Sequence, residues 1–316
     1  MTTPLIEARN VTKYFDTPRG KLHAVENVSF TIQEGETLGV VGESGCGKST
    51  LGRTILRLLP ATGGELLYRG EDILKYRKRQ MKNVYLNMQM IFQDPYSSLD
   101  PRMSISNIIA EPIKTCGTVR GKKQIAEKVE EVMDLCGLPK RYVNAYPHEL
   151  DGGRRQRVGL ARAMAVEPKF IVCDEPVSAL DVSIQAQILN LLMDLQDQKK
   201  LSYMFITHDL CVVKHISTNI MVMYMGQVVE YAPKEALFSR QYHPYTQALL
   251  SAIPTIDLSR RNRERTALKG EVTSPINPAP GCRFAPRCPY ATQACQSECS
   301  LKEISPGHFV ACTLFK

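Results

Sequence analysis

The sequence has no uncharged apolar run approaching the roughly 18 residues that a membrane-spanning helix needs. Its opening residues, MTTPLIEARN, lack a basic segment followed by an apolar one, so no secretory leader is expected. Nor is there a low-complexity block. Hydrophobic residues make up 43% and charged residues 23%, ordinary values for a globular protein. These absences argue against membrane-embedded, fibrous and disordered classes and leave a soluble, cytoplasmic protein as the expectation. A chain of 316 residues can bury a full core and is expected to form one large domain plus a smaller one.

The net charge is +8, and residues 260–316 carry nine Lys+Arg against four Asp+Glu. A basic surface suits nucleic acid or anionic lipid, but an excess this modest reads better as a solvated face. Ten cysteines are present, five of them in the tail at Cys282, Cys288, Cys295, Cys299 and Cys312. In a cytoplasmic setting thiols stay reduced, which disfavours disulfides and favours metal ligation or simple burial.

The first chemical motif is ETLGVVGESGCGKSTL, residues 36–51. The apolar run LGVV leads into Gly42-x4-Gly47-Lys48-Ser49 and then into helical apolar spacing. This is the strand, glycine loop and helix of a P-loop. Glycines let successive N–H groups turn toward one phosphate chain, where side chains would block it. Lys48 brings a positive charge to the β- and γ-phosphates, Ser49 a hydroxyl to Mg²⁺, and the helix N-terminus its dipole. Such a chain binds a nucleoside triphosphate.

A second apolar run, FIVCDEP, ends in adjacent acids. Asp174 at the strand end suits the Mg²⁺ shell, and Glu175 is placed to accept a proton from an attacking water. Gln93 follows another apolar run; its amide suits Mg²⁺ and the attacking water, and an ordinary surface glutamine would look the same. Asp151-Gly152-Gly153 opens the helix that runs into VGLARAM, either as an anion site or as a plain N-cap turn. SALD follows the acids at residues 178–181. His208 stands just beyond the strand FIT, as a γ-phosphate contact or a structural histidine.

This ordered set resembles the ATP-binding-cassette ATPases. The resemblance makes Gly42, Glu43, Ser44, Gly45, Cys46, Gly47, Lys48, Ser49 and Thr50 the Walker A nucleotide site. Gln93 becomes the Q-loop glutamine, Leu150–Gln156 the signature (with Asp151, Gly152 and Gly153), Phe170–Asp174 Walker B and Glu175 the catalytic glutamate. Ser178–Asp181 becomes the D-loop and His208 the switch histidine. Ser49, Gln93 and Asp174 are the implied Mg²⁺ ligands. Phe15, with Tyr14 as alternative, is the implied adenine-stacking aromatic. The implied fold is α/β: a RecA-like core, an antiparallel β subdomain and a helical subdomain at about residues 95–165. The ATPase domain would occupy residues 1–240 and a C-terminal extension residues 241–316. Two cassettes dimerise head to tail in this family, so a chain with one set of motifs needs a partner.

QDPYSSLDPR, CDEPVSALDVSIQAQILNLL and YHPYTQALLSAIP resemble the oligopeptide/dipeptide importers, a branch that includes nickel importers, and the F-type ATPase within it. The implied partners are a D-type ATPase subunit, two transmembrane permease subunits and an extracytoplasmic peptide-binding protein, with the chain at the cytoplasmic face of the membrane. Nickel or another small solute is the alternative cargo. A soluble cassette ATPase acting on nucleic acid is a distant alternative; no nucleic acid is expected. Some relatives hold an iron–sulfur cluster in the extension, and Cys282-x5-Cys288-x6-Cys295-x16-Cys312 supplies the four thiolates of a [4Fe–4S] cube, with Cys299 spare. Zinc and unligated cysteines are the other readings. A cluster would also offset the charges of Arg283 and Arg287. The chain departs from its family at the signature, LDGGR instead of LSGGQ, which puts Asp151 where the family serine donates to a γ-phosphate. Arg154 can offset that charge, or Asp151 can simply cap its helix.

Overall fold

A computed structural model describes residues 3–252, 275–297 and 299–315. Residues 260–274, part of the basic tail, lie outside the described residues. Along the chain, β1 (Ile6–Thr17), β2 (Gly20–Ile32) and β3 (Thr37–Val41) lead into α1 (Lys48–Ile55). Then come β4 (Gly63–Tyr68), β5 (Glu71–Asp72), α2 (Lys78–Asn87), β6 (Met88–Ile91) and the single turn α3 (Pro95–Ser98). Helices α4 (Ile105–Cys116), α5 (Lys122–Leu135) and α6 (Gly152–Met164) precede β7 (Phe170–Asp174), α7 (Val182–Lys199) and β8 (Ser202–Ile206). The remainder is α8 (Leu210–Ile216), β9 (Asn219–Tyr224), β10 (Gln227–Pro233), α9 (Lys234–Ser239), α10 (Pro244–Ser251), β11 (Lys302–Ser305) and β12 (His308–Val310).

The chain folds as two compact units. One comprises Ile32–Glu36 and Leu67–Ile206, together with the segment ending at Ile6. Here β6, β7 and β8 pair in parallel, Met88 with Phe170 and Phe170 with Ser202. Every residue of β7 and β8 is buried. That is why FIVCD and SYMFI read as continuous apolar runs and not as alternation. Helices α4, α5 and α6 pack together in this unit. Ile105, Ile108, Ile109 and Ile113 give α4 its buried face, and Gly117 ends it in the left-handed conformation. Asp181 caps α7, its carboxylate accepting from the Ile184 N–H at 3.0 Å.

The other unit comprises Glu7–Thr31, Thr37–Leu66 and the described chain from Thr207 onward. Strand β2 ends in the alternation Val28, Phe30, Ile32 buried against exposed Ser29 and Thr31, a sheet with one wet face. β3 runs parallel to β9, β9 antiparallel to β10, and β10 antiparallel to β12, which carries β11 at its edge. The C-terminal extension thus adds two strands to the sheet that bears the glycine loop. Val41, Tyr224, Tyr245 and Phe284 belong to one buried cluster, so the extension shares its core with β3.

Glu230 of β10 pins the start of the extension. Its carboxylate accepts from the N–H groups of Tyr242 (2.9 Å) and His243 (3.1 Å) and meets His308 Nε2 at 2.7 Å. His243 Nδ1 in turn accepts from the Tyr245 N–H at 3.1 Å and caps α10. That cap requires a neutral ring, and burial holds the His243 imidazole down at about 4, the Glu230 charge offsetting only part. The unfolded chain therefore binds this proton more readily. Stability is full above about pH 6.5 and falls as the pH drops toward 4, by up to about 1.4 kcal/mol per pH unit. A thermal-midpoint profile of the full chain checks this. His243→Asn keeps an acceptor without a titrating ring and is expected to flatten the decline; parallel profiles would contradict it.

Candidate nucleotide site

Strand β3 is wholly buried and leads directly into Gly42. At Gly42 (φ 154°) a Cβ would lie 2.2 Å from the Met223 carbonyl oxygen. At Gly47 (φ 104°) it would lie 2.1 Å from that of Ala24. Only glycine fits at either position. Gly47 is also the N-cap of α1 and makes no side-chain cap bond, so the first amides of that helix are not consumed by a cap. Lys48 is 4% exposed, and its Nζ donates to the carbonyls of Gly42 (2.7 Å) and Glu43 (2.9 Å). Ser49 and Thr50 follow half-buried in the first turn. Ser44 and Gly45 are exposed at the loop tip, and Cys46 is buried with its thiol pushed up by burial.

In the other unit, Asp174 closes β7 at 1% exposure. Glu175 then takes a left-handed φ of 47°, unusual for a residue other than glycine, and its N–H donates to the Ile206 carbonyl at 2.9 Å. The turn brings its carboxylate to Gln93, whose Nε2 donates to Oε2 at 3.0 Å. Gln93, Asp174 and Glu175 thus converge at the ends of the neighbouring parallel strands β6 and β7. Backbone strain of this kind concentrates at functional sites.

Asp151 caps α6 and also pairs with Arg154. It accepts from the Arg154 N–H at 2.7 Å and from its Nη1 at 2.5 Å. Asp151 thus makes both a cap and an ion pair within the first turn of α6. Gly153 is buried, where a Cβ would meet Ile184 Cγ2 of α7 at 2.6 Å, and Gly152 is half-buried beside it. His208 is exposed, one residue beyond Thr207, whose N–H donates to the Val40 carbonyl of β3. Phe15 is half-buried with Lys13 Nζ 4.7 Å from its ring centroid. Tyr14 stacks on His23 at 4.1 Å and donates its hydroxyl to Glu26 at 2.5 Å.

The tail cysteines gather without forming the expected cluster site. Among the described residues no group of three or more His, Cys, Asp or Glu is arranged to hold a metal. Cys282 and Cys295 are tied through their backbones, N–H to carbonyl, at 2.8 Å. Burial pushes the Cys282 thiol up to about 11, with Cys295 and Cys299 adding to it. Cys295 moves the other way, held below the ordinary thiol range by the Thr292 N–H and the Thr313 hydroxyl. Its sulfur is engaged by those two threonines. The residues as arranged do not fit an iron–sulfur cube or a zinc ion. Cys299, expected to be spare, lies close enough for its thiol to be raised by Cys312 and Cys295 after burial. Arg283 and Arg287, expected to balance a cluster, are paired instead with Glu26 and Glu43, each at 2.8 Å. Those pairings, and Tyr245 beside them, have no signature in a linear reading.

A buried lysine in a glycine loop between strand and helix, with paired acids and a glutamine amide closing parallel strands, defines a P-loop nucleoside triphosphatase. The ABC transporter family pattern matches residues 25–178, and that of the oligopeptide/dipeptide transporter C-terminal region matches residues 229–295. The oligopeptide transport ATP-binding protein AppF of Bacillus subtilis (strain 168) is 48% identical, the match covering 98% of this chain and 97% of that protein. A putative peptide import ATP-binding protein of Brucella ovis, BOV_A0347, is 47% identical with 98% of each covered. The solved dimeric post-hydrolysis ATP-binding cassette MJ0796, bound to ADP and Pi, superimposes with a TM-score of 0.66 at 27% identity, covering 72% of this chain and 98% of that one. The chain belongs to the ATP-binding proteins of ABC transporters and is an ATPase.

Proposed function

We propose that this ATPase is the motor subunit of an importer for oligopeptides or dipeptides. The observation that carries the chemistry is the Gln93–Glu175 contact beside buried Asp174. The match of the extension to the oligopeptide/dipeptide transporter C-terminal region, and relatives named for peptide import along the whole chain, support the cargo. Among the described residues no helix is long and apolar enough to cross a membrane. The membrane path is therefore assigned to two permease subunits, with a D-type cassette completing the ATPase pair and an extracytoplasmic binding protein delivering peptide. The chain acts at the cytoplasmic face.

In this reading the amides of Gly42–Thr50 and the Lys48 ammonium hold the triphosphate. Phe15 or Tyr14 stacks on adenine. Ser49, Gln93 and Asp174 offer oxygen donors that would suit Mg²⁺, which would supply positive charge to the triphosphate. Glu175 accepts the proton of the attacking water, Gln93 orients that carboxylate, and His208 contacts the γ-phosphate. Asp151–Gly153 faces the ATP of the partner cassette. Purification of the tagged chain from membranes tests the assembly. Two membrane-spanning chains and a second cassette are the expected companions; nucleic acid in their place would overturn it.

Asp151 makes the two ATP sites unequal. A carboxylate about 4 Å from a phosphate charge is repelled by roughly 4 kcal/mol at an effective dielectric of 20. Arg154 relieves part of that. Asp151→Ser keeps a helix cap, supplies a hydroxyl donor and frees Arg154. ATP turnover of the assembled transporter is expected to rise about twofold as the second site gains a donor for its transition state. Unchanged turnover and ATP affinity would show that Asp151 is only a cap.

A further inference from the structure

Glu43 is the second residue of the glycine loop, and three of its groups are engaged at once. Its N–H donates to the Tyr245 hydroxyl at 2.8 Å. Its carboxylate Oε2 accepts from Arg287 Nη1 at 2.8 Å. Its carbonyl accepts from Lys48 Nζ at 2.9 Å. Two of these three partners come from the extension, and the third is the phosphate-binding lysine. Arg287 is itself fixed. Its side chain is 8% exposed, and Nη1 also reaches the Tyr224 hydroxyl at 3.4 Å. Tyr224, Tyr245 and Phe284 pack edge-on or tilted around one another, with ring centroids 4.7–5.4 Å apart.

A second arginine of the extension repeats the arrangement toward β1 and β2. Arg283 Nη2 donates to Glu26 Oε2 at 2.8 Å, and its Nη1 donates to the Met225 carbonyl. The same Glu26 carboxylate receives the Tyr14 hydroxyl and lies against His23 Nδ1, and Tyr14 and His23 are stacked. Charge-assisted bonds in such enclosed settings are strong and directional.

We propose that Arg287, Tyr245 and Arg283 are positioning residues for ATP, acting through Glu43 and Glu26. The extension then sets the pose of the glycine loop and of the Tyr14–His23 stack, and is a working part of the nucleotide site. This rests on the proposed assignment of the loop and Tyr14 or Phe15 to ATP. A purely structural extension would change stability alone; a positioning extension changes ATP affinity.

The test is ATP binding by the full chain, measured by titration calorimetry beside the thermal midpoint. Tyr245→Phe keeps the buried ring and removes only the acceptor for the Glu43 N–H. Arg287→Met removes the carboxylate partner, and Arg287→Lys restores its charge. Arg287→Met is expected to raise Kd for ATP roughly tenfold or more, the loss of one charge-assisted bond. Tyr245→Phe should raise it less, and Arg287→Lys should recover part of the loss. Steady-state ATPase assays should show the same rise in KM with kcat nearly unchanged. Arg283→Met, which removes the Glu26 partner, is expected to raise Kd as well. A lowered midpoint with unaltered Kd in all four variants would overturn the proposal. Absence of ATP binding by the wild-type chain would instead remove the ATP reading itself, and this inference with it.

Discussion

The Glu175→Gln chain is expected to bind ATP as tightly as the wild type and to turn it over about 10²–10⁴-fold more slowly, the usual contribution of a positioned general base. The substitution is close to isosteric. The new amide oxygen can still accept from Gln93 Nε2, and the backbone bond to Ile206 is untouched. The left-handed φ at this position costs glutamine no more than it costs glutamate. What disappears is the ability to take a proton. Single-turnover and steady-state ATPase assays separate chemistry from binding here. Turnover within a few-fold of wild type would remove Glu175 from the role of base.

Gly47→Ala is expected to abolish measurable ATP binding by a different route. The new Cβ would sit 2.1 Å from the Ala24 carbonyl of β2, and the residue would have to hold a φ of 104°. Strain of that kind costs about 1–3 kcal/mol before the clash is counted, and backbone cannot swing aside as a side chain can. The loop would shift, carrying the start of α1 and Lys48 with it. Gly45→Ala is the comparison within the same loop. Its φ is 76°, but its Cβ would meet nothing within 4 Å. It should cost only the left-handed backbone penalty, about 1–2 kcal/mol, and retain ATP binding. Equal loss of binding in the two variants would show that the close approach to Ala24 is unimportant.

Much of the site was legible because its chemistry is local. Val40 and Val41, or Ile171 and Val172, lie in short apolar runs that need no distant partner to be recognised as buried parallel strands. The loop between Gly42 and Ser49 carries its own spacing, and Asp151 sits where a cap belongs. Contacts between remote positions left no such trace. Glu43 meets Arg287 across 244 positions and Tyr245 across 202, and nothing in the glycine motif announces either. The left-handed turn at Glu175 is equally silent, since a glutamate in that conformation has no distinctive neighbour. The cysteine spacing is the reverse case. Four thiols at plausible intervals satisfy a count, but among the described residues no group is arranged to hold a metal, and Cys295 is engaged by Thr292 and Thr313.

The most direct measurement is ATP-driven peptide uptake into proteoliposomes carrying the assembled transporter, with this subunit either wild type or Glu175→Gln. Uptake by the wild-type assembly, and its loss with the variant despite intact assembly and ATP binding, is the predicted result. Uptake that continues unchanged with the variant would mean that hydrolysis at Glu175 does not drive transport.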